Sequence, residues 1–64
     1  MVKVEIVRAK KKVNVNGKTI GDLLNELGIS SNTVLAIKNG ILVNLSAKVT
    51  NDDIVKLYPV ISGG

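Results

Sequence analysis

The sequence predicts an α+β domain in which one amphipathic helix covers one face of a five-stranded mixed sheet. Residues 1–8 and 13–16 alternate aliphatic with polar side chains, which is the period of a half-buried strand. Residues 19–28 have a helical apolar stripe between residues that typically begin and end a helix. Residues 33–43 and 54–60 are aliphatic runs next to turn sequences. With 64 residues, one such domain burying about 60% of its unfolded surface is all that the chain can form.

The N-terminal residues predict an antiparallel hairpin. In "MVKVEIVR" an aliphatic side chain occupies every second position, so one face of this strand is apolar. "AKKK" at 9–12 is the expected reversal, and Val13 and Val15 continue the alternation in a second strand. The lysines at 10–12 are a candidate anion-binding patch, but charge at a loop tip is also typical of a solvated turn.

The segment "TIGDLLNELGI" predicts the helix. Thr19 is the expected N-cap, Asp22 follows three residues later as in a capping box, and Gly28 supplies the left-handed residue that ends the helix. The apolar stripe at i, i+3, i+4 and i+7 consists of Ile20, Leu23, Leu24 and Leu27.

"TVLAIKNGILV" predicts a third and a fourth strand joined by a tight turn at 39–40, where Asn-Gly favours a two-residue hairpin loop. Alternation in the third strand leaves two orientations open. Either Leu35 and Ile37 or Val34 and Ala36 face the helix.

"TNDD" at 50–53 predicts a turn closed by the Thr50 side chain, and "IVKLYPV" predicts the last strand. Its continuous apolar character favours a central position in the sheet, and Pro59 marks its end because proline cannot donate a ladder hydrogen bond. The residues after Pro59 are expected to form a free tail. If the first and last strands lie parallel in the middle, the topology is that of ubiquitin.

The composition excludes several kinds of site. The chain has no cysteine and no histidine, which removes disulfides, thiolate nucleophiles, common zinc sites and the usual proton shuttle at neutral pH. Its net charge of +4 raises the question of a polyanionic partner, but Tyr58 is the one aromatic residue on which a base could stack. No apolar run is long enough to span a bilayer and no signal peptide is recognisable, so we expect a cytoplasmic protein without a membrane partner.

The sequence ends in Gly63-Gly64, which we expect to form a flexible tail over residues 61–64 beyond a folded domain over 1–60. Two glycines can enter a narrow channel and present a terminal carboxylate that no Cβ hinders. Such a carboxylate becomes an acyl donor after adenylation, when a persulfide, thiolate or amine can displace the nucleotide. The chain has no phosphate-binding loop motif, so another protein must perform the adenylation.

Three segments, "TIGDLLNELG", "VLAIKNGILV" and "NDDIVKLYPVISGG", resemble the ThiS and MoaD sulfur carriers in this order over essentially the whole chain. The aspartate of the family's turn matches Asp53, whereas Asn51-Asp52 replaces its usual glycine. Its proline, valine and terminal glycines match Pro59, Val60 and 63–64. The length is closer to ThiS than to MoaD.

The resemblance implies a ubiquitin-like β-grasp fold and a carrier that is not an enzyme. Gly64 would be the site of adenylation and thiocarboxylation, with Ser62 and Gly63 in the tail. The chain itself would bind no cofactor or metal, because a ThiF- or MoeB-like adenylyltransferase uses ATP and magnesium. A sulfurtransferase or cysteine desulfurase would supply sulfur. Thiazole synthase, the large subunit of molybdopterin synthase or tRNA thiolation would consume it.

Two alternatives stay open at this stage. Archaeal proteins similar to this chain are attached through the terminal glycine to lysine side chains, so the product could be an isopeptide. A small RNA-binding module using the lysines at 10–12, 38, 48 and 56 would bind more weakly as salt rises.

A surface for docking the activating enzyme is predicted beside the start of the tail. If Val55 and Leu57 lie under the helix, strand alternation directs their neighbours to the open face of the sheet. The candidate docking residues are Ile54, Lys56, Tyr58, Pro59 and Val60, with Lys3 at their border. Scattered exposed aliphatic residues without a partner are the alternative interpretation.

Overall fold

The computed structural model describes residues 1–60 of the chain. In chain order the strands are β1 Val2–Ile6, β2 Lys11–Val15, β3 Val34–Lys38, β4 Ile41–Val43 and β5 Ile54–Pro59. The helix α1 is Ile20–Leu27, and two 3₁₀ turns are Val7–Ala9 and Ser31–Thr33.

The five strands form one mixed sheet in the order β2-β1-β5-β3-β4. β5 lies in the centre, parallel to β1 and antiparallel to β3. The predicted ubiquitin-like β-grasp fold is therefore confirmed, including the adjacent parallel first and last strands.

Local sequence determines both ends of α1. The Thr19 hydroxyl accepts the Asp22 amide at 3.2 Å, and the Asp22 carboxylate accepts the Thr19 amide at 3.3 Å, which completes the predicted capping box. Gly28 ends the helix in the left-handed conformation at φ 69°. Two further amides of the first turn, those of Ile20 and Gly21, donate to carbonyls of the 44–53 loop.

The core lies between α1 and the sheet. Val34 is half-buried and Ala36 is buried, whereas Leu35 is exposed, so the open question about β3 is answered in favour of Val34 and Ala36. Val49, in the loop before β5, is also buried and was not predicted as a core residue. The buried apolar residues are Val2, Val4, Val15, Ile20, Leu23, Leu24, Ala36, Val49, Val55 and Leu57.

The first hairpin differs from the prediction in where it turns. β1 ends at Ile6, before the predicted Arg8, because the chain enters the 3₁₀ turn Val7–Ala9. The Lys10 amide closes this turn on the Val7 carbonyl at 3.2 Å, and Lys10 takes a left-handed conformation at φ 53°. β2 consequently begins at Lys11, two residues before Val13.

The turn at 39–40 anchors the start of β5. Asn39 and Gly40 both have positive φ, as the predicted tight hairpin requires. The Asn39 side chain accepts the Ile54 amide at 2.9 Å and donates to the Asp53 carboxylate at 2.8 Å. That carboxylate also accepts the Thr50 amide at 2.8 Å, while the Thr50 hydroxyl accepts the Asp52 amide. The predicted turn over 50–53 is thus confirmed.

The hydrogen bonds from Asn39 and Thr50 lower the pKa of Asp53 from its ordinary value of 3.8. A carboxyl whose pKa is lower in the folded state stabilises the fold above its unfolded pKa, and this contribution is lost as pH falls through the folded pKa. We therefore expect Asp53→Asn to reduce the melting temperature at about pH 6, with the difference from wild type shrinking towards about pH 2.

Thermal unfolding followed by circular dichroism across this pH range measures the effect. Asp52→Asn is the matched control, since Asp52 contributes its backbone amide to the turn. A difference between wild type and Asp53→Asn that does not change with pH would contradict the role given to the ionised carboxylate.

Candidate functional site at the end of the central strand

Alternation along β5 produces two different faces. Val55 and Leu57 are buried beneath α1, and Ile54, Lys56 and Tyr58 are exposed on the opposite side of the sheet. The predicted orientation of all five residues is confirmed. Burial of Val55 and Leu57 fixes the register of β5, because a slip of one residue would exchange the two faces.

Neighbouring strands extend this surface with apolar side chains. Leu35 pairs directly with Tyr58, and Ile37 pairs with both Lys56 and Leu42, so their side chains share the face opposite the helix. Leu35 is 47% exposed and Leu42 is 62% exposed, because no other element within residues 1–60 covers them. We call the surface formed by Leu35, Ile37, Leu42, Ile54, Lys56 and Tyr58 the open face.

Charged residues border the open face on the side of β1 and β2. Glu5 pairs directly with Lys12 on one side and Lys56 on the other, and Lys3 pairs with Ile54. These residues surround an open groove of about 510 Å³ along β1. Lys3 therefore borders the open face, as predicted from the sequence.

The chain leaves the sheet at Pro59. This residue is the last in β5 and pairs with Val34, which confirms its predicted place at the end of the strand. The prediction that a free tail follows Pro59 directly is wrong by one residue, because the Val60 amide donates to the Thr33 carbonyl at 2.9 Å. The predicted tail, 61–64 with Ser62, Gly63 and Gly64, lies outside the described residues.

The lysines of the RNA-binding alternative are distributed over different surfaces. Lys56 is on the open face and Lys12 borders it across Glu5, whereas Lys10 lies in the turn of the first hairpin and Lys11 pairs with Ile6. Lys38 and Lys48 lie together elsewhere, where the Lys38 ammonium donates to the Lys48 carbonyl at 2.9 Å. These six residues do not make one continuous cationic surface.

Other kinds of site find little support in the part of the chain that is described. No three His, Cys, Asp or Glu side chains among residues 1–60 lie close enough together to hold a metal ion. Over the same residues, α1 and the two 3₁₀ turns are too short or too polar for a helix that crosses a membrane.

Sequence reasoning did not identify three members of the open face: Leu35, Ile37 and Leu42. All three follow once the orientation of β3 is known, since Ile37 alternates with Ala36 and Leu42 is its direct partner in β4. The missing signal was the choice between the two faces of β3, which depends on contacts with α1 and not on the local sequence.

Comparisons with known proteins agree with this architecture. The model of the ThiS family matches residues 3–64, which is nearly the whole chain. The chain is also 34% identical over 56 residues to "Sulfur carrier protein TtuB" of Thermus thermophilus, and the aligned region covers 86% of each protein. On the extent of these two matches, together with a β-grasp domain whose central strand ends at Pro59, four residues before Gly63, the chain belongs to the ThiS family of sulfur carriers.

Proposed function

We propose that the chain is a sulfur-carrying co-substrate whose Gly64 carboxylate is adenylated by a separate enzyme and converted to a thiocarboxylate. The observation that supports this most strongly is the Gly63-Gly64 sequence, which lies within the family match and begins three residues after Val60. The absence of cysteine adds to it, because a chain without a thiol has no side chain on which to hold a transferable sulfur.

Activation is a nucleotidyl transfer to a carboxylate. A Gly64 oxygen attacks the α-phosphorus of ATP, the bond between the α-phosphorus and the bridging oxygen breaks, and magnesium pyrophosphate leaves. The product is an acyl adenylate. In this scheme the partner binds ATP and magnesium, and the carrier supplies only the attacking group. The carrier is then consumed as a substrate and regenerated, so it is not itself an enzyme.

Sulfur enters when a persulfide on a sulfurtransferase or cysteine desulfurase attacks the acyl adenylate and AMP leaves. The resulting acyl disulfide is cleaved by a second thiol of the sulfur-donating system. That thiol forms a disulfide with the donor sulfur, and the electron pair of the broken S–S bond remains on the Gly64 thiocarboxylate. The acceptor classes proposed for this sulfur are the thiazole of thiamine, the dithiolene of molybdopterin and a thiolated tRNA base.

An amine can displace AMP from the same adenylate. A lysine Nζ attack would give an isopeptide at Gly64, release AMP and lose one proton. The two glycines favour this product as much as the thiocarboxylate, because neither has a side chain that would hinder the incoming nucleophile. Conjugation to lysine is accordingly the second candidate function.

The open face is the surface that we propose for docking the activating enzyme. It lies beside the start of the tail, and it combines aliphatic side chains with one tyrosine, which is the residue composition of an interface centre. Docking there would orient the tail towards the nucleotide site, and Pro59 and Val60 would form the border where the tail begins.

ATP–pyrophosphate exchange by the host's ubiquitin-activating-type adenylyltransferase tests this function. We expect the chain to stimulate exchange in a saturable manner, because pyrophosphate is released when Gly64 is adenylated. Exchange that does not respond to the chain at any concentration would contradict the proposal.

Tyr58→Ala tests the docking surface in the same assay. We expect the KM for the carrier to rise by about tenfold with kcat unchanged, since truncation of a central interface tyrosine typically costs more than about 1 kcal/mol in binding. Leu45→Ala is the control, because Leu45 is similarly exposed, at 45% against 39% for Tyr58, but lies in the loop beside α1. Equal effects of the two substitutions would exclude docking through the open face.

A further inference from the structure

The cationic run of the first hairpin lies at the end of the sheet from which the tail leaves. β1 and β5 are parallel, and Ile6 pairs with Leu57, so the residues that follow in both strands point in the same direction. The 3₁₀ turn Val7–Ala9 accordingly contacts the end of β5. Arg8 and Pro59 line one cavity of about 180 Å³ together with Thr33, whose carbonyl accepts the Val60 amide.

Two lysines extend this positive charge along the same end of the sheet. Lys11 pairs with Ile6, and Lys10 occupies the turn immediately before it. β2 is two strands away from β5, which corresponds to about 10 Å. Arg8, Lys10 and Lys11 are all exposed, and we call them the basic collar.

Among residues 1–60, carboxylates near the basic collar are few. No aspartate or glutamate occurs between Ile6 and Val15. Asp52 and Asp53 immediately precede the first residue of β5, which places them at the opposite end of the sheet. Glu5 is the acidic residue next to the hairpin, and it pairs with Lys12 and Lys56 on the open face. Asp22 and Glu26 belong to α1, where they line one pocket with Lys18 beside the start of the helix. Among residues 1–60, the end of the sheet from which the tail leaves is therefore locally cationic.

The shortness of the tail keeps the basic collar close to any partner that binds Gly64. Gly64 is the fourth residue after Val60, and an extended chain of four residues reaches at most about 14 Å. A partner that encloses Gly64 in its active site must bring the rim of that site against the end of the sheet. Charges at such a rim interact over about 8 Å at physiological ionic strength.

We propose that the basic collar docks against a carboxylate-rich rim around the channel in the activating enzyme that receives the tail. This inference rests on the proposed function and names the chemistry of its partner. The open face would supply apolar contact, whereas the basic collar would orient the approaching carrier and accelerate association. Three cations would also attract the phosphate backbone of a nucleic acid. Sites for single-stranded nucleic acid usually add aromatic side chains on which bases stack, and the one aromatic residue of this chain lies on the open face. This favours a protein rim.

Charge reversal at matched positions tests the proposal. The collar variant is Lys10→Glu with Lys11→Glu. The control variant is Lys18→Glu with Lys48→Glu. Both control positions lie near the start of α1, where Thr19 and Lys48 form an isolated antiparallel β-bridge. Each substitution of lysine by glutamate lowers the charge by two units, so the net charge falls from +4 to 0 in both variants. The measurements are ATP–pyrophosphate exchange by the host adenylyltransferase at low and high salt, and circular dichroism to verify folding.

We expect the collar variant to raise the KM for the carrier by about tenfold at low salt with kcat unchanged. The difference from wild type should shrink at high salt. The control variant should change KM by less than about twofold. Equal effects of the two variants, or no effect of either, would overturn the proposal. Arg8→Ala should raise KM in the same direction, and an unchanged KM for this variant would remove Arg8 from the basic collar.

Two further outcomes separate the possible causes of failure. If the wild-type chain itself does not stimulate exchange, the proposed function is wrong. The activating enzyme is then not the partner of the basic collar either. If the collar variant exchanges normally but no longer binds purified host tRNA in a fluorescence anisotropy titration at low salt, the occupant is a nucleic acid and the protein rim is wrong.

Discussion

Deleting Gly64 is expected to abolish adenylation while leaving the fold unchanged. The truncated chain still ends in a carboxylate, but that group belongs to Gly63 and falls short by one residue, about 3.5 Å of extended chain. Nucleophilic attack requires the reacting atoms at about 3–3.5 Å, so a displacement of this size removes the carboxylate from the α-phosphorus.

Two measurements distinguish a tail that is too short from a domain that is unfolded. The last described hydrogen bond of the chain joins Val60 to Thr33, four residues before the deletion, so the melting temperature should equal that of wild type. Gly64→Ala is the control for length, because it preserves the reach and adds one Cβ. It should retain part of the ATP–pyrophosphate exchange. Full exchange by the truncated chain would contradict the assignment of Gly64.

Leu57→Ala is expected to unfold the domain. Leu57 is 1% exposed and lies in the central strand beneath α1, between Ile6 of β1 and Ala36 of β3. Removing a buried leucine side chain costs about 2–5 kcal/mol, and a core of this size supplies only about 3–5 kcal/mol in total. The two quantities are comparable, so most molecules should be unfolded at room temperature.

Tyr58→Ala is the matched control for this prediction because Tyr58 is the next residue of β5 and faces the other way. Its melting temperature should remain close to that of wild type. Chemical denaturation monitored by circular dichroism measures both variants. A folded and stable Leu57→Ala protein would contradict the placement of the core, and an unfolded Tyr58→Ala protein would contradict the exposure of the open face.

Features specified by neighbouring residues were predictable from the sequence. The capping box of α1 depends on Thr19 and Asp22, which are three residues apart, and the β3–β4 turn depends on Asn39 and Gly40. The central position of β5 followed from its continuous apolar character. In each case the physical cause lies within one short segment, so no knowledge of tertiary contacts was needed.

Features specified by contacts between distant segments were not predictable. Burial of Val49 follows from the loop 44–53 lying against the start of α1, where the Val49 amide donates to the Lys18 carbonyl at 2.9 Å. The Val60 hydrogen bond depends on the 3₁₀ turn that contains Thr33, and no strong periodicity marks that turn. The early end of β1 likewise reflects the contact of Val7–Ala9 with β5.

The candidate site shows the same division. Ile54, Lys56 and Tyr58 were predicted on the open face because alternation along one strand is a local property. Leu35, Ile37 and Leu42 joined them only through the register of β3 with β4 and β5. The position of the basic collar beside the start of the tail required the parallel pairing of β1 with β5, which brings together residues about fifty positions apart.

Intact mass spectrometry of the chain tests whether Gly64 becomes a thiocarboxylate. The chain is incubated with the host adenylyltransferase, magnesium ATP and a cysteine desulfurase with its cysteine substrate, and with ATP omitted as the control. A thiocarboxylate at Gly64 predicts a mass increase equal to the replacement of one oxygen by sulfur, located by fragmentation at Gly64 and dependent on ATP. An unchanged mass would contradict it, as would a chain recovered only as a lysine conjugate.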